Sequence, residues 1–133
     1  MDAEQRIPIQ DDRDIVAARL EGRASALKIG FSPGDATVIA AAISEIARNI
    51  VSYARAGEIA ISAVERNGRR GIQIVARDAG PGIADIEQAM RDGYSTSGGL
   101  GLGLPGAQRL MDEFEVRSTV GRGTTVTMTK WER

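Results

Sequence analysis

The sequence has 133 residues and a formal net charge of −1, which fits one domain of ordinary size and lacks the basic excess that nucleic-acid partners require. It contains neither cysteine nor histidine, so disulfides, thiolate or imidazole metal sites and a Ser-His-Asp triad are excluded, and any general base must be a carboxylate or a lysine. Hydrophobic residues make up 42%, no apolar run approaches the ~20 residues of a membrane span, and the first residues lack a signal peptide's apolar core, so a cytoplasmic protein with no membrane partner is expected.

Residues 6–10 alternate, with Ile7 and Ile9 on one face, and predict a short strand. Asp11 or Asp12 caps a helix over residues 13–29, and Gly30 suits its C-terminal end. Ser32-Pro33-Gly34-Asp35 is a strong helix start, because the serine caps, proline fits the first turn and an acid follows. Val38, Ile39, Ala42, Ile43, Ile46, Ala47 and Ile50 then recur at helical spacing, predicting a helix that ends near Gly57. Residues 58–65 and 71–78 read as strands joined through the hairpin signal Asn67-Gly68. Residues 83–90 predict a short helix, and residues 91–99 a glycine- and hydroxyl-rich loop. A helix over 105–111 precedes a final antiparallel pair, 114–120 and 124–131, around Gly121-Arg122-Gly123, with Met128 and Trp131 expected to close the core. There is no internal repeat or linker, so residues 1–133 read as one α+β domain, a mixed sheet with helices packed on one face. A nucleotide would sit between the helix layer and the loop after Met90.

Three segments carry residues suited to nucleotide chemistry. Glu45 and Asn49 are one helical turn apart and share a face. Ile39, Ile43, Ile46 and Ile50 set the buried stripe, so Glu45 lies at its edge, a half-desolvated setting suited to a general base. Asn49 offers a neutral oxygen to a hard cation such as Mg2+, which uses few protein ligands beside substrate phosphates. The same residues also fit a solvated helix face on which Glu45 pairs with Arg48. Asp78 ends a strand and can accept a hydrogen bond from an exocyclic amine such as adenine's, while Gly80 and Gly82 let backbone approach a base. A plain strand-to-helix turn would use the same residue types. Gly98, Gly99, Gly101, Leu102 and Gly103 run into a helix, where free N–H groups and the helix dipole hold phosphate. No Gly-Lys-Ser/Thr follows, so this is not a Walker loop, and a flexible linker is the competing reading. Ser95, Thr96 and Ser97 can reach phosphate oxygens or cap turns, and the Thr124 hydroxyl can back up Asp78 or simply favour a strand.

Taken together, Glu45-Ile46-Ala47-Arg48-Asn49, Asp78-Ala79-Gly80-Pro81-Gly82 and the glycine run resemble the three nucleotide-binding boxes of the GHKL ATPase superfamily. Asp92-Gly93-Tyr94-Ser95-Thr96-Ser97-Gly98-Gly99-Leu100-Gly101, and Leu104-Pro105-Gly106 followed by Arg109-Leu110-Met111-Asp112-Glu113-Phe114, narrow the resemblance to the RsbT-type switch serine kinases, over nearly the whole chain. The resemblance implies a Bergerat α/β sandwich with a mostly antiparallel sheet, ATP and Mg2+ as cofactors, and phosphorylation of a serine on a STAS-domain antagonist. It also implies activation of a PP2C-type phosphatase once the kinase is released. On this reading Glu45 is the catalytic base, Asn49 binds magnesium, Asp78 binds adenine beside Gly80 and Gly82, Gly101 and Gly103 bind phosphate, and Thr124 helps hold adenine. The sister anti-sigma kinases carry an arginine just before the glycine pair; here the stretch is Ser97-Gly98-Gly99, leaving Arg91 or a backbone donor as substitutes. Two alternatives accompany this reading: an anti-sigma factor that binds a sigma factor directly, and a nucleotide-dependent binding module with little turnover.

Overall fold

The computed structural model describes residues 4–54, 56–80 and 103–132. Strand β1, Gln5–Ile9, leads into helix α1, Asp12–Ile29, and helix α2, Pro33–Asn49. Strands β2, Gly57–Arg66, and β3, Arg69–Asp78, form a hairpin. Helix α3, Gly103–Leu110, precedes β4, Glu113–Thr119, and β5, Gly123–Trp131. The five strands make one sheet in the order β1-β2-β3-β5-β4, and every pairing is antiparallel. The predicted elements at residues 83–90 and 91–99 lie outside the described residues.

Local chemistry accounts for the helix ends. Asp11 is the N-cap of α1 and accepts the Arg13 N–H at 2.9 Å, while Asp14 reaches back to the N–H groups of Gln10 and Asp11 at 2.8 and 3.3 Å, completing a capping box. Gly30 ends α1 at φ +127°, a conformation open to glycine, and its N–H reaches the Ala26 carbonyl at 3.1 Å. Ser32 caps α2, its hydroxyl accepting the Asp35 N–H at 3.1 Å with Pro33 in the first turn. The α-helix stops at Asn49 rather than near Gly57, and a π-helical turn, Ile50–Ala54, carries the chain onward. Such turns insert one extra residue per hydrogen-bonded loop and recur at functional sites.

Register puts Ile7, Ile9, Ile59, Ile61, Ile72, Ile74, Ala76, Val126 and Met128 on the face toward the helices. They meet Ile15, Ala18, Ala26, Ile39, Ile43, Ile46 and Ala107 in one core. Each of the fully buried isoleucines contributes about 1.5–3 kcal/mol of burial. Gly22 of α1 lies directly against the Ile43 side chain, so the two helices close on each other where a methyl group would collide.

Met128 closes the helix-side core as expected, but Trp131 does not. Strand alternation turns it to the opposite face of the sheet, in register with Gly71. There the Arg66 guanidinium lies 4.7 Å above its ring, Glu113 accepts the indole N–H at 2.9 Å, and Arg66 donates to Glu113 at 2.7 Å. The C-terminal end of α3 is fastened at the same end of the sheet, where the Lys130 ammonium donates to the Leu110 carbonyl at 3.0 Å.

Candidate nucleotide site

The first candidate pair sits on the last turns of α2. Glu45 and Asn49 are both half-buried, whereas Ile43, Ile46 and Ala47 between and beside them are buried. The Glu45 side chain retains 34% of its exposure, and one carboxylate oxygen takes the Arg48 guanidinium at 2.8 Å. Both sequence readings of Glu45 are therefore present at once: it lies at the edge of the buried stripe, and it pairs with Arg48. A solvent-facing pair of this spacing contributes only about 0.3–0.5 kcal/mol.

Beyond Asn49 the π-helical turn delivers the chain to the end of the sheet. Ile50 packs where a Cβ on Gly57 would lie, 2.9 Å from its Cγ2, and Gly57 is in register with Asp78. At the turn's last residue, Ala54 lies against Gly80, whose missing Cβ would come within 2.7 Å of the Ala54 methyl. The third contact comes from the other side: Gly123 presses its Cα on the Asp78 carbonyl and Ala79 at φ +108°. Gly57, Gly80 and Gly123 thus let three segments converge on Asp78 at backbone distance.

Asp78 continues the core face of the central strand after Ile72, Ile74 and Ala76 and remains half-buried. One of its oxygens accepts the Gly80 N–H at 2.9 Å. The other has no hydrogen-bond partner among the described residues, so a fixed, partly desolvated acceptor faces the helix layer. This donor set fits an exocyclic amine, because a carboxylate offers acceptors only. Thr124 stands opposite Asp78 in register. Its hydroxyl lies 2.9 Å from that of Ser118, which itself donates to the Gly123 carbonyl at 3.0 Å. Either hydroxyl can donate in the Ser118–Thr124 pair, and the oxygen of Thr124 can accept from a further donor. Tyr53, within the π-helical turn, is 39% exposed, and its partial burial pushes the phenol pKa up.

The structure brings Asn49, Asp78, Gly80 and Thr124 to one end of the sheet, with Glu45 one helical turn, about 5–6 Å, behind Asn49. Gly103 is the first residue of α3, which packs on α2. Gly82, Ser95, Thr96, Ser97, Gly98, Gly99, Gly101 and Leu102 lie outside the described residues. Sequence reading missed Gly57, Gly123, Ala54 and Ser118. A glycine opening each of the two strands flanking β3 was the available signal for the first two; nothing marked the others. Among the described residues no cluster of three or more acidic side chains could hold a metal, so a divalent cation here would rest on Asn49 and on phosphate oxygens. No helix among them is long and apolar enough to cross a membrane.

Comparison with known proteins bears on the family and the fold. Residues 10–130 match the histidine kinase-like ATPase domain family. The chain is 50% identical over its whole length, and the whole of the relative's, to the serine/threonine-protein kinase RsbT of Bacillus subtilis strain 168. It is 37% identical to an anti-sigma F factor of Caldanaerobacter subterraneus subsp. tengcongensis, covering 70% of this chain and 68% of that one. Against an anti-sigma F factor of Geobacillus stearothermophilus the identity is 30%, over 85% and 81%. Among solved structures, the mycobacterial sensor histidine kinase MprB superposes with a TM-score of 0.59 over 98% of this chain and 99% of that one, at 13% identity, which supports the fold. The chain belongs to the histidine kinase-like ATPase family, as a serine/threonine-protein kinase of the RsbT type.

Proposed function

We propose that this protein is a single-domain, Mg2+-dependent kinase of a partner-switching stress-response module in the cytoplasm, transferring phosphate from ATP to a serine of a STAS-domain antagonist. Released from that antagonist, it activates a PP2C-type phosphatase. The observation that carries the reading is Asp78, a half-buried carboxylate with one oxygen tied to Gly80 and the other without a partner among the described residues, standing at the same sheet end as Asn49. The full-length likeness to a serine/threonine-protein kinase supports the choice of reaction.

In this mechanism Asp78 and Thr124 select the adenine edge and fix the register of ATP. Asn49 supplies the protein oxygen for Mg2+, which neutralises charge on the phosphates when bound. The glycine run at Gly98, Gly99, Gly101 and Gly103, with Ser95, Thr96, Ser97 and Leu102, wraps the phosphates, with Gly103 at a helix N-terminus that favours anions. Glu45 releases Arg48 and accepts the proton of the incoming serine hydroxyl. That oxygen bonds the γ-phosphorus as the bond to the β-phosphate oxygen breaks, and ADP leaves. Positioning and charge neutralisation supply most of the catalysis in phosphoryl transfer, so few groups suffice.

Purified protein, labelled ATP and a STAS-domain protein from the same organism test the reading. Phosphoserine should form on the acceptor. Glu45→Ala should abolish transfer and retain ATP binding; transfer at the wild-type rate would remove Glu45 as the base. Tight ATP binding with no transfer to any STAS acceptor would overturn the kinase reaction and favour a binding module. Capture of a sigma factor in preference to the STAS protein would favour the anti-sigma role.

A further inference from the structure

The outward face of α1 carries an unusual surface. Val16, Leu20 and Leu27 are 42%, 59% and 39% exposed, and they are three of the five large hydrophobic residues exposed among the described residues. At 3.6 residues per turn they fall within about 40° of arc and along about 16 Å of helix. They point away from Ile15, Ala18, Gly22, Ala26 and Ile29, which face the core. The spacing from Val16 to Leu20 and on through Arg23 to Leu27 is four, three and four residues, the alternation of a coiled-coil seam. Arg23 occupies the third seam position, and Arg13 and Arg19 flank the stripe on its two sides. Arg13 pairs with Asp11 at 3.1 Å and Arg23 touches the Thr37 hydroxyl at 3.4 Å, while Arg19 has no ion-pair partner among the described residues. Asp12, in the first turn of the helix, lies beside the stripe.

We propose that this face of α1 docks an amphipathic α-helix of a partner protein, its apolar residues at seam spacing and its carboxylates opposite Arg23 and Arg19. Three observations select this occupant. A narrow seam fits one helix, whereas a helix lying in a membrane surface presents a broader apolar face with aromatic anchors. A second copy of this chain would set Arg23 against Arg23 when parallel, or bury it against Leu20 with no acid when antiparallel, which disfavours self-pairing. Arg23 in the seam would be desolvated on docking, so it requires an acid in the partner. The proposal stands apart from the catalytic reading, since it uses no nucleotide-site residue.

The test uses a synthetic peptide of about three heptads with leucine at the seam and glutamate at the seam position facing Arg23 and at the flanks, beside a lysine-for-glutamate version. Titrated into the isotope-labelled protein, the glutamate peptide should shift amides along α1, with a dissociation constant on the order of 0.1–1 mM. The lysine peptide should bind at least about tenfold more weakly, and Leu20→Asp should weaken the glutamate peptide by a similar factor while leaving the melting temperature and ATP affinity unchanged. Arg23→Glu should reverse the preference and favour the lysine peptide. Equal binding of both peptides, shifts confined to another surface, or no binding at 1 mM peptide, about the weakest affinity expected, would overturn the proposal. So would protection of the stripe by phosphatidylserine vesicles rather than by peptide, or a concentration-dependent dimer that Leu20→Asp dissolves.

Discussion

Replacing Asp78 with asparagine tests the proposal that this side chain reads the adenine edge. In the wild-type protein one carboxylate oxygen holds the Gly80 N–H at 2.9 Å and the other has no partner among the described residues. Asparagine keeps the first acceptor through its carbonyl, so the turn after β3 stays closed and the loss of stability is limited to the difference between a charged and a neutral acceptor, about 0.5–1 kcal/mol. The second oxygen becomes an NH2 group. An exocyclic amine that met an acceptor now meets a donor, and the lost hydrogen bond to a charged group is worth about 1.5–3 kcal/mol. At 1.4 kcal/mol per decade, ATP affinity should fall by about 10- to 150-fold. The same NH2 is complementary to the carbonyl that guanine carries at the corresponding edge, so GTP should lose less than ATP, or gain. Calorimetric titration of both nucleotides into wild-type and variant protein, with thermal unfolding as the control, measures each term. ATP affinity within about twofold of wild type, well under half a decade, would refute the placement of adenine at Asp78. An equal loss for both nucleotides would show a general disturbance of the site instead.

Three further outcomes follow from the packing. Gly22→Ala gains up to about 1 kcal/mol of helix propensity, but its methyl meets the buried Ile43 side chain, and overpacking of about 1–3 kcal/mol should win. Denaturant unfolding should show a net loss that Ile43→Val partly restores, and additivity of the two changes would contradict the contact. Arg66 and the Trp131 indole together hold the Glu113 carboxyl below the usual carboxylate range. A lowered folded-state pKa means that the stabilisation is present above that range and lost as pH falls through the lowered value. Wild type should therefore exceed Glu113→Gln in stability at neutral pH and converge with it in acid, with Trp131 fluorescence changing over the same interval; a constant difference across pH would refute it. Gly123→Ala places a methyl on the Asp78 carbonyl at φ +108°, so it should lower both the melting temperature and ATP affinity. Retained affinity would show that the backbone at Asp78 tolerates displacement.

The parts of the fold that were legible in the sequence are those fixed by neighbours in the chain. Ser32-Pro33 announced the start of α2 because the cap and the first turn are made by adjacent residues. Asn67-Gly68 announced the hairpin because both residues adopt positive φ, 55° and 78°, as a tight two-residue turn requires. The end of α2 was not legible, since changing from α to π hydrogen bonding leaves no residue signature at Ile50–Ala54. Trp131 was expected to close the core, but the count of residues along β5 decides its face, and only the register with β3 fixes that count. At the site, Glu45 and Asn49 could be paired from helical spacing alone. The partnership of Ser118 with Thr124 joins two strands across a turn whose register no local pattern supplies.

The glycines around Asp78 also foretell how this protein tolerates change. Sensitivity to substitution is usually expected to follow burial, with exposed strand ends the most permissive. Gly57 and Gly80 are only half-buried, yet a Cβ at either position would invade a neighbouring residue. A saturation scan should therefore find a ring of intolerant positions at the rim of the sheet, separated from the intolerant core by permissive residues such as Arg77 and Ala79. Laboratory evolution toward another base would be channelled accordingly: variation would be accepted at the side chains of Asp78 and Thr124 and refused by the backbone that holds them.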